Sequence, residues 1–236
     1  MSKASKIKKV NHTCAILEKF YGVPVAWKSD SPLDALVAVI LSQNTSDKNS
    51  FPAFAELKRT FPTWEAVMNT DERKIAVAIR RGGLANIKAK RIKQVLGQIV
   101  EKTGKLDISF LSKLSTEDAR QFLLSLNGVG PKSAAVVLNF AFGKPAFPVD
   151  THVYRVSKRL GLIGEKVSRE RAHEEMEKLV PDQQKQSYLL NLIRLGREVC
   201  HARKPKCGKC PLKKECKYYV QVFQKNEVNV QWTKKK

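Results

Sequence analysis

Acid is what this sequence has least of. Its 236 residues include 22 aspartates and glutamates against 44 lysines and arginines, a formal charge of +22. That excess is larger than solubility needs, and polyanions are its natural partners. Because the positive charge is spread over both halves, it points to a broad contact face rather than a detachable tail. Long apolar runs are missing too: none approaches the roughly 20 residues a helix needs to span a bilayer. The opening MSKASKIKKVNHT is basic but lacks the apolar core and small-residue cleavage site of a secretory signal. A cytoplasmic protein is therefore expected. No Trp-rich amphipathic surface helix is present to anchor it to an anionic membrane. The paired acids that would hold two metal ions in a strand-cleaving site are also absent. Strand-like alternation hardly occurs before Val228–Trp232, and no internal repeat stands out.

What is present is helical periodicity, so an all-α protein is predicted. Apolar spacing at Val10, Cys14 and Leu17 predicts a helix ending near Tyr21, with Cys14 as an ordinary buried cysteine. Ser31-Pro32-Leu33-Asp34 has the form of a helix start, and the apolar run Leu33–Leu41 follows as a buried helix. The polar stretch Ser42–Asp47 then reads as an exposed turn or a nucleic-acid edge. Further helices are predicted over 47–58, 63–68, 71–79, 86–101, 151–160, 168–179 and 184–199. Leu84 follows Arg80-Arg81-Gly82-Gly83. It has two readings: an apolar wedge on a basic loop, or a side chain folded back as a staple, which is the cheaper of the two.

The chain is organised around Leu126–His152, LNGVGPKSAAVVLNFAFGKPAFPVDTH. Gly128 and Gly130 allow a tight turn between two helices, and Pro131 suits the first position of the second helix. Unpaired amides at such a helix start, together with the helix dipole, can receive a phosphate without reading bases. Lys132 lies one residue further on, where the positive end of the dipole disfavours an ammonium; a lysine that is neutral part of the time can form a Schiff base. Asp150 comes eighteen residues later. It could return to face Lys132 or cap the next helix, and beside a buried lysine the two roles are compatible.

Cys200, Cys207, Cys210 and Cys216 are separated by six, two and five residues. Thiolates at this spacing hold zinc or a four-iron cluster, and spacing alone does not choose between them. A disulfide scaffold does not suit a cytoplasmic chain. The segment also carries Arg203, Lys204, Lys206, Lys209, Lys213 and Lys214 against Glu215. A metal there can replace the apolar core such a segment lacks, while its cations reach out to phosphates.

These motifs, in this order, closely resemble the endonuclease III family of DNA glycosylases in the helix–hairpin–helix superfamily. The resemblance covers roughly residues 10–219 and rests on LNGVGPKSAAVVLNFAFG, VDTHVYRV and LGREVCHARKPKCGKCPLKKEC. It implies a two-domain all-α fold with a central DNA-binding cleft. Residues 1–28 would contribute a helix to the cluster domain and 29–148 would form a six-helix domain with the hairpin. Residues 149–219 would supply the C-terminal helices and cluster loop, and 220–236 a basic extension.

The resemblance further implies that Lys132 is the nucleophile that attacks the sugar C1′, supported by Asp150. It makes Cys200, Cys207, Cys210 and Cys216 the ligands of a [4Fe-4S] cluster and Leu84 the intercalating leucine. Gln43, Asn44, Leu84, Gly128, Gly130, Lys132 and Ser133 are the implied DNA-contacting residues. The expected activity is bifunctional: removal of oxidised or ring-saturated pyrimidines from duplex DNA, then cleavage 3′ to the abasic site by β-elimination. A monomer associated with chromosomal DNA is the default. A related glycosylase for uracil, thymine mismatches or oxidised purine would use the same machinery with another pocket. A non-catalytic structural DNA-binding module is the reading that Lys132 with Asp150 argues against.

Three departures from the family pattern stand out. LPGVGRKTA appears as LNGVGPKSA, which removes a guanidinium. LSAQATD appears as LSQNTSD, which puts the shorter Asn44 where the helix-filling glutamine falls, next to Gln43. GLYNSKA appears as GLANIKA, which removes an aromatic at Ala85.

Overall fold

The computed structural model describes residues 1–24 and 31–224. Its α-helices in chain order are α1 (Lys3–Tyr21), α2 (Pro32–Ser42), α3 (Asp47–Thr60), α4 (Trp64–Asn69), α5 (Glu72–Ala78) and α6 (Ala85–Thr103). There follow α7 (Thr116–Leu124), α8 (Pro131–Phe142), α9 (Thr151–Leu160), α10 (Arg169–Leu179) and α11 (Lys185–Glu198). No strand occurs among the described residues. The strand-like Val228–Trp232 and the basic Lys234–Lys236 lie outside them, as does most of the expected extension.

The chain divides into two compact units, Met1–Ala26 with Phe147–Lys236, and Trp27–Ala146. In the second, α2 is the centre. Leu33, Leu36, Val37, Ile40 and Leu41 are buried around its circumference, as a helix apolar on all sides must be. It packs against α3, α6 and α8. Seven α-helices lie in this unit among the described residues, where the resemblance implied six. The additional boundary comes from two local caps: Thr63 Oγ1 accepts from Ala66 N (3.2 Å), and Asp71 Oδ1 accepts from Arg73 N (2.7 Å). Each stops the chain and restarts it as a short helix.

The start of α2 differs from the capping box read in the sequence. Ser31 makes no side-chain cap bond. Asp34 instead accepts from Trp64 Nε1 (2.9 Å) and pairs with Lys58 Nζ (3.4 Å). Pro131-type economy applies at Pro32 as well: the helix begins on a residue with no amide to satisfy.

In the other unit α1 packs on α10 and α11. Val10, Cys14 and Leu17 are buried as their spacing required, and Thr13 Oγ1 lies 2.8 Å from Tyr188 Oη on α11. Burial pushes the Cys14 thiol up to about 12, which keeps it protonated and unreactive. The α9–α11 contact is close because position 196 is glycine; a Cβ there would sit 2.7 Å from that of His152.

Candidate active site

The hairpin joins α7 to α8. Gly128 has φ +87°, and any Cβ on it would strike the Arg91 side chain, so both conformation and space demand glycine. Gly130 does not use the freedom expected of it. It is extended, with φ −89° and ψ 177°, as the residue before a proline is driven to be.

Helix α8 begins at Pro131, and no side chain caps it. Its first bond runs from Ala134 N to Gly130 O (2.9 Å). The amides of Lys132 and Ser133 meet no protein acceptor among the described residues. Lys132 is exposed rather than buried, which corrects the sequence-based picture. The reason is its position on the helix: Ser133, Ala134 and Ala135 occupy the inward face of the first turn.

Asp150 caps α9. Its Oδ1 accepts from Val153 N at 2.7 Å, and its other oxygen takes no hydrogen bond among the described residues. The strand-like approach to it is held from α10. Phe147 N donates to Glu177 Oε2 (3.1 Å), and Val149 N donates to His173 Nδ1 (3.0 Å), so that ring nitrogen is the acceptor.

Gln43 and Asn44 end α2 in different ways. Gln43 is half-buried; its Nε2 donates to Gly128 O (3.1 Å) and Ser133 Oγ (3.2 Å), and its Oε1 accepts from Arg91 Nη1 (2.5 Å). Asn44 is exposed in the left-handed region, φ 53°.

Leu84 is 51% exposed, which rules out the folded-back staple. It sits in the left-handed region at φ 51°, after Gly83 at φ 68° and ψ 157°. For a leucine that conformation costs on the order of 1–3 kcal/mol and persists only where the surroundings enforce it. Lys88 does much of the enforcing. It is 2% exposed, and its Nζ donates to Leu41 O (2.6 Å) and Gly82 O (2.8 Å), tying the end of α2 to the Arg80–Gly82 turn. Burial lowers its pKa.

Cys200, Cys207, Cys210 and Cys216 line one cavity together with Arg159, Val199 and Tyr218. Burial pushes the Cys210 thiol up to about 11, partly opposed by the Leu212 amide and reinforced by the other cysteines. Burial and the neighbouring cysteines also raise Cys207 and Cys216. Thiols buried beside one another are held as thiolates by a compensating cation, so four cysteines lining one cavity are a donor set that suits a metal centre. No three His, Cys, Asp or Glu side chains among the described residues are gathered closely enough for a single metal ion. Four thiolates suit either zinc or an iron–sulfur group. Helix α9 braces the loop: Arg159 Nη1 donates to Cys200 Sγ (3.2 Å) and His201 O (2.7 Å), and Arg155 Nε donates to Cys200 O (2.8 Å).

Sequence reasoning missed Lys88, Arg91, His173, Arg155 and Arg159. Nothing local marks them, because each acts on residues far along the chain.

The chain matches the family described as HhH-GPD superfamily base excision DNA repair protein over residues 37–182. It matches the iron-sulfur binding domain of endonuclease III over residues 200–216. A protein of Arabidopsis thaliana provisionally named a DNA glycosylase is 41% identical over 158 residues, 67% of this chain; the chain spans about half (54%) of that relative. Endonuclease III of Sulfolobus acidocaldarius is 34% identical over 209 residues, 86% of this chain and 89% of that one. Among solved structures, a trapped endonuclease III–DNA covalent intermediate superposes with a TM-score of 0.78 at 27% identity. That superposition covers 94% of this chain and 99% of the other.

Proposed function

Because this chain belongs to the endonuclease III family of the HhH-GPD superfamily, we propose that it is a bifunctional DNA N-glycosylase and AP lyase. Its substrate is duplex DNA bearing an oxidised or ring-saturated pyrimidine, a base whose poor stacking makes it cheaper to extrude. The observation that carries this reading is Lys132: an exposed amine at the head of a helix whose first amides are unpaired, behind a turn that only glycine can make.

In the proposed reaction the α8 amides and the exposed backbone at Gly128 and Gly130 hold a phosphate of the damaged strand. Leu84 enters the stack beside the extruded nucleotide, and the exposed Asn44 follows the end of α2, where Gln43 and Ser133 are bonded to each other. The Lys132 amine attacks C1′; the C1′–N bond breaks and the base leaves with its electron pair and a proton. Ring opening gives an imine between Nζ and C1′. The imine acidifies the C2′ hydrogen, whose loss expels the 3′ phosphate by cleavage of the C3′–O bond. Asp150 supplies a carboxylate that stabilises positive charge developing on the sugar, one oxygen capping α9 and the other open to this use.

Cys200, Cys207, Cys210 and Cys216 would hold a [4Fe-4S] cluster. When bound, it supplies a folding centre and partial neutralisation of a lysine-rich loop rather than a step of the reaction. On this reading residues 1–28 and 149–219 build the cluster domain, 29–148 carries the hairpin, and the protein works as a monomer on chromosomal DNA in the cytoplasm. No helix among the described residues is long and apolar enough to cross a membrane.

Borohydride trapping on a lesion-bearing duplex tests the proposal. A covalent protein–DNA adduct is expected with the wild type and none with Lys132→Gln. An adduct that persists in Lys132→Gln removes the proposed nucleophile. The same assay run over uracil, thymine-mismatch and oxidised-purine duplexes reads out specificity, and iron analysis with visible absorbance reads out the cluster.

A further inference from the structure

The turn bearing the amine is held from outside by one side chain whose two ends are both committed. Gln43 Nε2 donates to Gly128 O (3.1 Å) and Ser133 Oγ (3.2 Å), while its Oε1 accepts from Arg91 Nη1 (2.5 Å). Rotating the amide by half a turn would set its NH2 against a guanidinium and its oxygen against a carbonyl, so the network allows one orientation. The Arg91 stem fills the space beside Gly128 that a Cβ would need, and Gln98 Oε1 accepts from Asn127 N (2.8 Å). Gln43 therefore bonds the residue four before Lys132 and the residue directly after it. Lys132 itself extends from an uncapped first turn, which leaves the direction of that turn to be set by these contacts.

We propose that Gln43 is a positioning residue for Lys132, clamping the hairpin to α2 and α6 so that the amine meets the sugar carbon in an attacking geometry. This deepens the reading of Lys132 as nucleophile and rests on it. It also reassigns the adjacent amides. Gln43 is spent on protein partners, and the exposed Asn44, in its left-handed conformation, is the amide left to face DNA.

Gln43→Glu is the sharpest test. It keeps shape and the acceptor for Arg91, but loses the donor to Gly128 O. On a duplex with a preformed abasic site, where no base has to be expelled, the single-turnover trapping rate is expected to fall by about 10- to 100-fold, the scale of a misplaced reacting group. KM for that duplex should stay within about threefold. Ser133→Ala, a milder cut at the same clamp, should lower the rate by a smaller factor without shifting the melting midpoint. Arg91→Met combined with Gln43→Glu should cost no more than the worse single change.

A Gln43→Glu rate within twofold of wild type overturns the proposal. So does a raised KM with an unchanged single-turnover rate, which would make Gln43 a DNA contact. If Gln43→Glu does not fold, Ser133→Ala decides: an unchanged rate in that variant overturns the clamp. Lys132→Gln run in parallel separates the two levels. Trapping that survives in it defeats the nucleophile reading, whereas its loss beside a normal Gln43→Glu defeats only the clamp.

Discussion

Lys88 shows what one buried charge can organise. Its ammonium is removed from water and repaid by two carbonyls, Leu41 O at 2.6 Å and Gly82 O at 2.8 Å. Lys88→Met keeps the apolar stem but leaves both carbonyls buried without a donor, a cost of about 2–4 kcal/mol; a urea melt should show the loss. The pH dependence has a definite sign. Burial depresses the folded-state pKa, so below the ordinary lysine value the unfolded chain binds more protons than the native one. The stability of the wild type relative to Lys88→Met should therefore increase as the pH is raised through the depressed value toward 10.5. An advantage that shrinks over that range would mean that burial does not disfavour the ammonium. The same substitution should loosen Leu84, because the turn below it loses its anchor.

At the scale of the element, α9 and α8 start in opposite ways. Helix α9 is closed by Asp150, whose Oδ1 accepts from Val153 N at 2.7 Å. Helix α8 is left open behind Gly130. A helix start closed by a carboxylate repels phosphate; an open one receives it. Asp150 has two duties that one substitution separates. Asparagine caps as well as aspartate, so Asp150→Asn should leave thermal stability within about 0.5 kcal/mol. Base release should nevertheless fall by about 100-fold or more, the range for a displaced charged group at a reacting centre. If melting and base release fall in step, capping is the whole of its role.

For the whole molecule, the excess of 44 basic over 22 acidic residues predicts a binding equilibrium governed by counterion release. Affinity for an undamaged duplex should drop by about 10³- to 10⁵-fold between 50 and 200 mM salt if 6–10 phosphates are contacted. Titration by fluorescence anisotropy at several salt concentrations measures it. A slope near zero would show that the positive face is not the one DNA meets.

Much of this was legible along the chain. Apolar spacing located α1, α2, α6 and α9–α11 to within a few residues, because a helix's buried stripe is written in a local period. The four cysteines and the GVGPK turn announced themselves for the same reason: ligand spacing and backbone restriction are local chemistry.

Other features were set by packing between distant residues. Lys132 is exposed because its neighbours Ser133, Ala134 and Ala135 take the inward face. Leu84 stands out from the surface because Lys88 braces the turn beneath it. Gln43 turns to the hairpin because Arg91, forty-eight residues away, donates to its oxygen. Residue type and spacing determined which groups this protein has for its chemistry. Which of them face solvent, and which are consumed holding others in place, depended on partners brought together only when the core closed, since a side chain's hydrogen bonds are chosen by what is near in space rather than by what is near in the chain.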